Sequence, residues 1–276
     1  MTVDHTVSSL KAPNDINRSF SPWYWLLPIL PLLVWAIAHF TAPEPALFYF
    51  INQRTQRLSD SFWGFFVFLG NGWGLYSLVF PLVLIAPRLL AAGALSGLIA
   101  GLASRTLKLA LDFPRPASVL DLSTFHIVGN PLLHLSLPSG HTLTAFAVAT
   151  AFYFSINAAK RKYAWIFFLI ATGTGFARIA VGAHWPADVL AGASVGILSG
   201  LLGASLCNRM HTASFTTKSR LTWIFMIGAL LDAYMLSSTV LDFDSNHPYQ
   251  VLGMIVLALT LFSLAIKVVA DSRHRA

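Results

Sequence analysis

The chain has 276 residues, 56% of them hydrophobic and 11% charged, with a mean hydropathy of +0.67. This excludes an ordinary soluble domain and points to a polytopic membrane protein, because several stretches stay apolar for the ~20 residues that a helix needs to cross a bilayer. The net charge of +7 lies in short clusters between apolar stretches, as membrane topology requires, so no nucleic-acid partner is expected. The single cysteine, Cys207, excludes an internal disulfide and a multi-cysteine metal site.

Residues 1–22 are polar, carry Lys11 and Arg18, and read as a cytoplasmic tail. Residues 23–40 form the first span, with aromatic residues at its start. Its apolar run is longer than that of a signal peptide, and Thr41-Ala42-Pro43-Glu44-Pro45 makes a poor cleavage site, so the segment is expected to be retained. Residues 41–61 mix Glu44, Arg54, Arg57 and Asp60 with aromatics and read as an amphipathic interfacial segment. Gly70-Asn71-Gly72 then breaks the apolar run, and a second span is expected over 73–86.

A third helix follows over 89–111, rich in Gly, Ala and Ser that permit close packing. After a loop to residue 137, a fourth helix runs from the Pro138-Ser139-Gly140-His141 segment to about 158, where Lys160-Arg161-Lys162 ends it. A fifth covers 163–181, residues 182–188 make a turn, and a sixth continues to 206. A basic loop at 208–220 and an acidic one at 241–249 bracket a seventh span over 221–240, and an eighth covers 249–270.

Lys11, Arg18, Arg88, the 160–162 cluster, Arg209 to Arg220, Arg273 and Arg275 then share one face, which the positive-inside rule makes cytoplasmic. Lys108, Arg115 and Arg178 fall at the opposite ends of helices, where that rule gives them no reason to be. Helix parity puts Lys108, Asp112, Arg115, Ser139 and His141 on one side, and the hairpin of helices four and five returns Arg178, His184 and Asp188 to the same level.

Three cations, two histidines, a hydroxyl, a helix start and a carboxylate suit phosphoryl transfer, in which catalysis is largely positioning and stabilisation of charge on the equatorial oxygens. The arginines offer bidentate contacts, and Ser139 with the amides near Gly140 offers neutral donors. His184, four residues before Asp188, fits a nucleophile oriented by a carboxylate, which leaves His141 as general acid. Taken singly, each basic residue reads as an interfacial anchor and Ser139-Gly140 as a helix cap and turn. Asp112 is expected to pair with Lys108 or Arg115, His126 and His134 to lie in a solvated loop, and Trp185-Pro186 to shape a turn.

The order Lys108-x6-Arg115-Pro116, Pro138-Ser139-Gly140-His141 and Arg178-x5-His184-x3-Asp188 resembles the three-part signature of the type 2 phosphatidic acid phosphatase superfamily. All spacings within the motifs agree, while the family's serine before the third-motif arginine is Ala177 here. The resemblance implies an all-α transmembrane bundle with a six-helix phosphatase core over 23–206 and two added helices with a tail over 207–276. It also implies a phosphatase with no metal or other cofactor, acting through a phosphohistidine on His184, with Asp188 in support and His141 as acid. Lys108, Arg115, Ser139, Gly140 and Arg178 would hold the phosphate. The expected partner is a phosphorylated membrane lipid, such as undecaprenyl pyrophosphate, phosphatidylglycerol phosphate, phosphatidic acid or a lipid A phosphate, met at the outer face of a cell inner membrane. The same residues would serve a phosphotransferase, and a lipid-phosphate flippase without hydrolysis is the alternative from another class. A vanadate-dependent haloperoxidase shares this type of site, but a chain so embedded in the membrane is a poor candidate. The sequence does not address oligomeric state.

Overall fold

Apolar runs punctuated by Pro, Gly and Asn produce an all-helical chain in a computed structural model that describes residues 20–273, with no strand among them. The polar tail with Lys11 and Arg18 lies almost wholly outside the described residues, as does Arg275. A 3-10 turn, Pro22–Leu26, leads into α1 (Ile29–Thr41), followed by α2 (Glu44–Thr55), α3 (Asp60–Gly70), α4 (Gly72–Val79), α5 (Leu82–Ile85) and α6 (Pro87–Leu111). Then come α7 (Pro116–Val119), α8 (Gly140–Ser155), α9 (Trp165–Ala180), α10 (Pro186–Asn208), α11 (Arg220–Ser238) and α12 (His247–Arg273). Six stretches among the described residues are long and apolar enough to cross a membrane, or seven if α3 and α4 count as one. The protein is thus a multi-pass helical bundle.

The centre is α8, ten of whose 16 residues are buried, packed among α6, α9 and α10. Small residues let these helices approach. A Cβ added at Gly192 would stand 2.7 Å from the Ser139 carbonyl oxygen, and at Gly196 2.5 Å from that of Leu143. At Gly200 it would stand 2.4 Å from the Thr150 side chain, and at Gly203 2.1 Å from that of Ser96. The stripe on α10 therefore lies on the backbones of α8 and α6 at distances no larger residue permits, the usual device where lipid gives helices no hydrophobic reason to associate.

The second span differs from the sequence expectation. Instead of one helix over 73–86, α3 already starts at Asp60, capped by the Ser59 hydroxyl, and meets α4 at a 79° bend. Asn71 ends the first and caps the second, accepting from the Trp73 amide at 3.1 Å. Neither half reaches the length of a span, and both are helical because each finds its own cap. Within 41–61 the chain forms α2, whose Asn52 is fully buried and donates to the carbonyls of His126, Ile179 and Ala180 at 2.9–3.2 Å.

The Cys207 thiol and the Arg88 guanidinium meet the carbonyls of Arg88 and Met210 respectively, and Lys267 reaches the carbonyl of Leu84, so these basic segments share one end of the bundle. Helices α11 and α12 pack on α4, where Gly253 faces Ser77 and Gly228 faces Tyr76. Their connection is braced by Gln250, which donates to the carbonyls of Leu236 and Thr239 and accepts from the Leu241 amide.

Candidate active site

At the other end of the bundle from Arg88 and Lys267, the last turns of α6 and α9 and the first turns of α8 and α10 converge. Pro186 starts α10, and the Asp188 carboxylate takes the Trp185 amide at 2.9 Å, closing the first turn back on itself. That places Asp188 Oδ2 3.2 Å from His184 Nδ1, both side chains almost wholly buried. The Ser136 hydroxyl donates to the same oxygen. Ser139 is tied in through its amide, which donates to the Asp188 carbonyl at 2.9 Å, while its hydroxyl accepts from Thr142 at 3.0 Å.

On its far side the His184 ring meets Arg115, whose Nη1 lies 3.2 Å from Nε2. An arginine nitrogen only donates, so His184 Nε2 accepts there and Nδ1 carries the proton toward Asp188. Burial first, and then the charges of Arg115, Arg178 and Lys108, hold the His184 pKa well below the ordinary 6.5. The imidazole is therefore neutral, with a lone pair on the nitrogen that faces the cations. Arg115 is fixed by the carbonyls of His134, Ala183 and Leu135, and Lys108 by those of Leu135 and Ser136. Gly140 completes the floor, since a Cβ there would stand 3.1 Å from Ser104 Oγ and 3.9 Å from Lys108 Cε.

Arg178 is 3% exposed, and its backbone carbonyl accepts from the amides of Ala183 and His184. Its Nε and Nη1, like His141 Nε2, are buried without an aligned acceptor among the described residues. Asp242 lies between them, with Oδ1 2.9 Å from His141 Nε2 and 3.8 Å from Arg178 Nη1. These are ion-pair distances. The His141 N–H misses the oxygen and the Arg178 contact is too long for a hydrogen bond, so both are electrostatic. Buried donors without acceptors are the feature expected of a seat for an anion with several oxygens.

All eight residues marked in the sequence, Lys108, Arg115, Ser139, Gly140, His141, Arg178, His184 and Asp188, thus gather at one end of α6, α8, α9 and α10. Asp112 does not join them. It ends α6 in the left-handed conformation with φ 37°, and its carboxylate faces His134 at 3.9 Å instead of Lys108 or Arg115. His126 is bound to Asp60 at 2.8 Å and its backbone to Asn52, so its loop is anchored rather than merely solvated. Ala177 packs with Trp63, Val67, Ala180 and Val181, so the position where the family has serine faces α3.

Three residues escaped the sequence reading: Ser136, Asn71 and Asp242. Helix parity already put the 241–249 loop on the side of the site, and that was the available signal for Asp242. Ser136 had only its nearness to Pro138.

Two clefts open beside the centre. One, of 520 Å³, lies between α6, α8 and the α3–α4 bend and is lined by Asn71, Ser104, Arg105, Lys108 and His141. The other, of 600 Å³, is largely apolar and runs from Leu32 and Trp35 on α1 past Phe113 and Leu137 to Trp185 and Asp188.

The sequence model of the PAP2 superfamily matches residues 85–211. The crystal structure of LpxE from Aquifex aeolicus is 31% identical, with a TM-score of 0.52, and the match covers 59% of this chain and 94% of that one. The chain belongs to the PAP2 superfamily. Among curated PAP2 proteins, a lipid A 1-phosphatase of Porphyromonas gingivalis is 48% identical over 68 residues, 25% of this chain and 15% of the relative. An undecaprenyl-diphosphatase BcrC of Bacillus subtilis is 42% identical over 67 residues, 24% of this chain and 33% of the relative. The matched segment is therefore at most a third of either curated relative. The PAP2 match ends before α11 and α12 begin.

Proposed function

We propose that the protein is a membrane lipid phosphatase that removes phosphate from a lipid phosphate monoester or diphosphate through a phosphohistidine on His184. The observation that carries this reading is the His184 ring itself, with Nδ1 turned to Asp188 and Nε2 presented, unprotonated, among three cations. The Nε2 lone pair forms a bond to phosphorus as the phosphorus–oxygen bond to the lipid breaks. Its electrons pass to the leaving oxygen, which takes a proton from His141. A water then attacks the phosphohistidine, giving its proton to His141, and inorganic phosphate leaves. Lys108, Arg115, Arg178, Ser139 and the amide at Gly140 hold the phosphoryl oxygens, with the orphan donors of Arg178 supplying the charge that matters most as the equatorial oxygens become more negative.

The apolar cleft ending at Trp185 and Asp188 supports a lipid substrate, since it leads from the exposed side of α1 to the reacting residues. The names of the relatives agree with a phosphorylated lipid but differ in which one. The basic end of the bundle supports an orientation with the site on the outer, periplasmic side of an inner membrane.

The test is a phosphate-release screen with purified protein over lipid phosphates and diphosphates, in the presence of a chelator. Wild type is expected to release phosphate and His184→Ala to release none. Undiminished release by His184→Ala overturns the mechanism.

A further inference from the structure

The phosphate site described above is complete within the family core, yet a carboxylate from outside that core enters it. Asp242 belongs to the connection between α11 and α12, beyond the 85–211 match. Its side chain is 13% exposed. Oδ1 faces His141 and Arg178, and Oδ2 accepts from the Asn71 amide at 2.9 Å.

Several features hold it there. Asp242 itself has φ 64°, in the left-handed region, which aspartate tolerates better than most residues other than glycine. The next residue, Phe243, packs against the cluster of Trp63, Val67, Ala177 and Ala180, and Gly129 leaves room for its ring, since a Cβ there would stand 2.9 Å from it. Asn246 donates to the Leu241 carbonyl, and its own amide to that of Phe243. A connection that turns at one residue and is fastened on both sides of it holds that side chain in a set place.

Burial opposes ionisation of Asp242, but His141, Arg178 and Asn71 outweigh it and hold the carboxyl below the usual carboxylate range. The charge is therefore present beside His141. His184 and His141 sit in one field of three cations and need opposite states, the first neutral to attack and the second protonated to serve the leaving oxygen. Asp188 is shared among the Ser136 hydroxyl, the Trp185 amide and His184, whereas among the described residues the Asp242 carboxylate meets Asn71, His141 and Arg178.

We propose that Asp242 is a positioning residue for the general acid: its carboxylate faces His141 Nε2 at 2.9 Å and places there a negative charge that favours the protonated ring, leaving Nδ1 to protonate the leaving oxygen. This rests on the phosphatase reading above. The helix pair α11–α12 then supplies a carboxylate beside the acid, as Asp188 lies beside the nucleophile, though through an electrostatic contact and not an aligned hydrogen bond.

The test compares wild type, Asp242→Asn, Asp242→Glu and Asn71→Asp on phosphate esters whose leaving groups run from alkyl alcohols to acidic phenols. Asp242→Asn is expected to lower kcat on alkyl esters by about tenfold or more, with little loss on the most acidic phenol, which leaves without a proton. Asp242→Glu restores part of the rate, and Asn71→Asp, which keeps the cap acceptor for Trp73 but removes the donor to Oδ2, shows a loss with the same dependence. Inhibition by inorganic phosphate is expected to persist or tighten in Asp242→Asn, because a negative charge beside Arg178 has gone, and it reports that the site is assembled. An equal loss on every leaving group, or a rate at or above wild type, overturns the proposal. The phosphatase reading fails separately, if His184→Ala remains active.

Discussion

Two histidines within one cationic field are set apart by what their nitrogens touch. His184 gives one nitrogen to Asp188 and turns the other to Arg115, and burial with Arg115, Arg178 and Lys108 favours its neutral form. If His184 is the nucleophile as proposed, the acid limb of kcat/KM that reports it is expected below pH 6.5, since protons must compete with those cations for Nε2. Asp188, Ser136, His141, Arg115, Arg178 and Lys108 are the groups whose charge or hydrogen bonds bear on it. Replacing Arg115 by Gln removes one cation, so the limb is expected to move to higher pH, beside a fall in rate from the lost phosphate contact. A pH–rate profile of the two proteins reads the shift, and a limb that stays or moves lower contradicts this account. Ser136 belongs at the same scale. Nothing in its residue type marks it, and only the fold, by burying its hydroxyl on Asp188, gives it a task.

Between elements, the contacts that align the site are those between α10 and α8. The spacing of Gly192, Gly196, Gly200 and Gly203 sets the height of α10 against α8, and hence of His184 and Asp188 against Ser139 and His141. A side chain at Gly196 must push the helices apart. Gly196→Leu is expected to cut activity by about 10²-fold, since a misplacement of about 1 Å costs that much in catalysis, and to lower thermal stability by about 1–3 kcal/mol. Activity assays and thermal unfolding in detergent measure both, and a variant as active as wild type refutes the alignment. The motifs were legible because their internal spacings match a known signature, with Asp188 at the fourth position after His184, and counting spans puts the rest on the same side. The bend at Asn71 was not legible, because Gly70-Asn71-Gly72 reads equally as a turn between a surface segment and a span. Nor was the approach of Asp242 to His141, which depends on how α11 and α12 dock on α4 far along the chain.

Across the whole molecule, the chain joins a family core to a helix pair that packs on the broken span and reaches back over the site. One dimension of that core governs how it meets its surroundings. With 16 residues, α8 is about 24 Å long, shorter than the ~30 Å hydrocarbon layer of a typical bilayer. Its first turn carries His141 and its last precedes the Lys160-Arg161-Lys162 turn, so the reacting end is held at a set depth measured from the basic end. Lipid headgroups have no such tether, and they stand farther from the basic end as acyl chains lengthen. The helix thus acts as a ruler. Turnover of a lipid phosphate is expected to fall in vesicles of longer-chain lipids, while turnover of a water-soluble phosphate ester stays nearly constant. Parallel assays across a chain-length series separate the two, and equal responses would mean that membrane thickness does not reach the site through this helix.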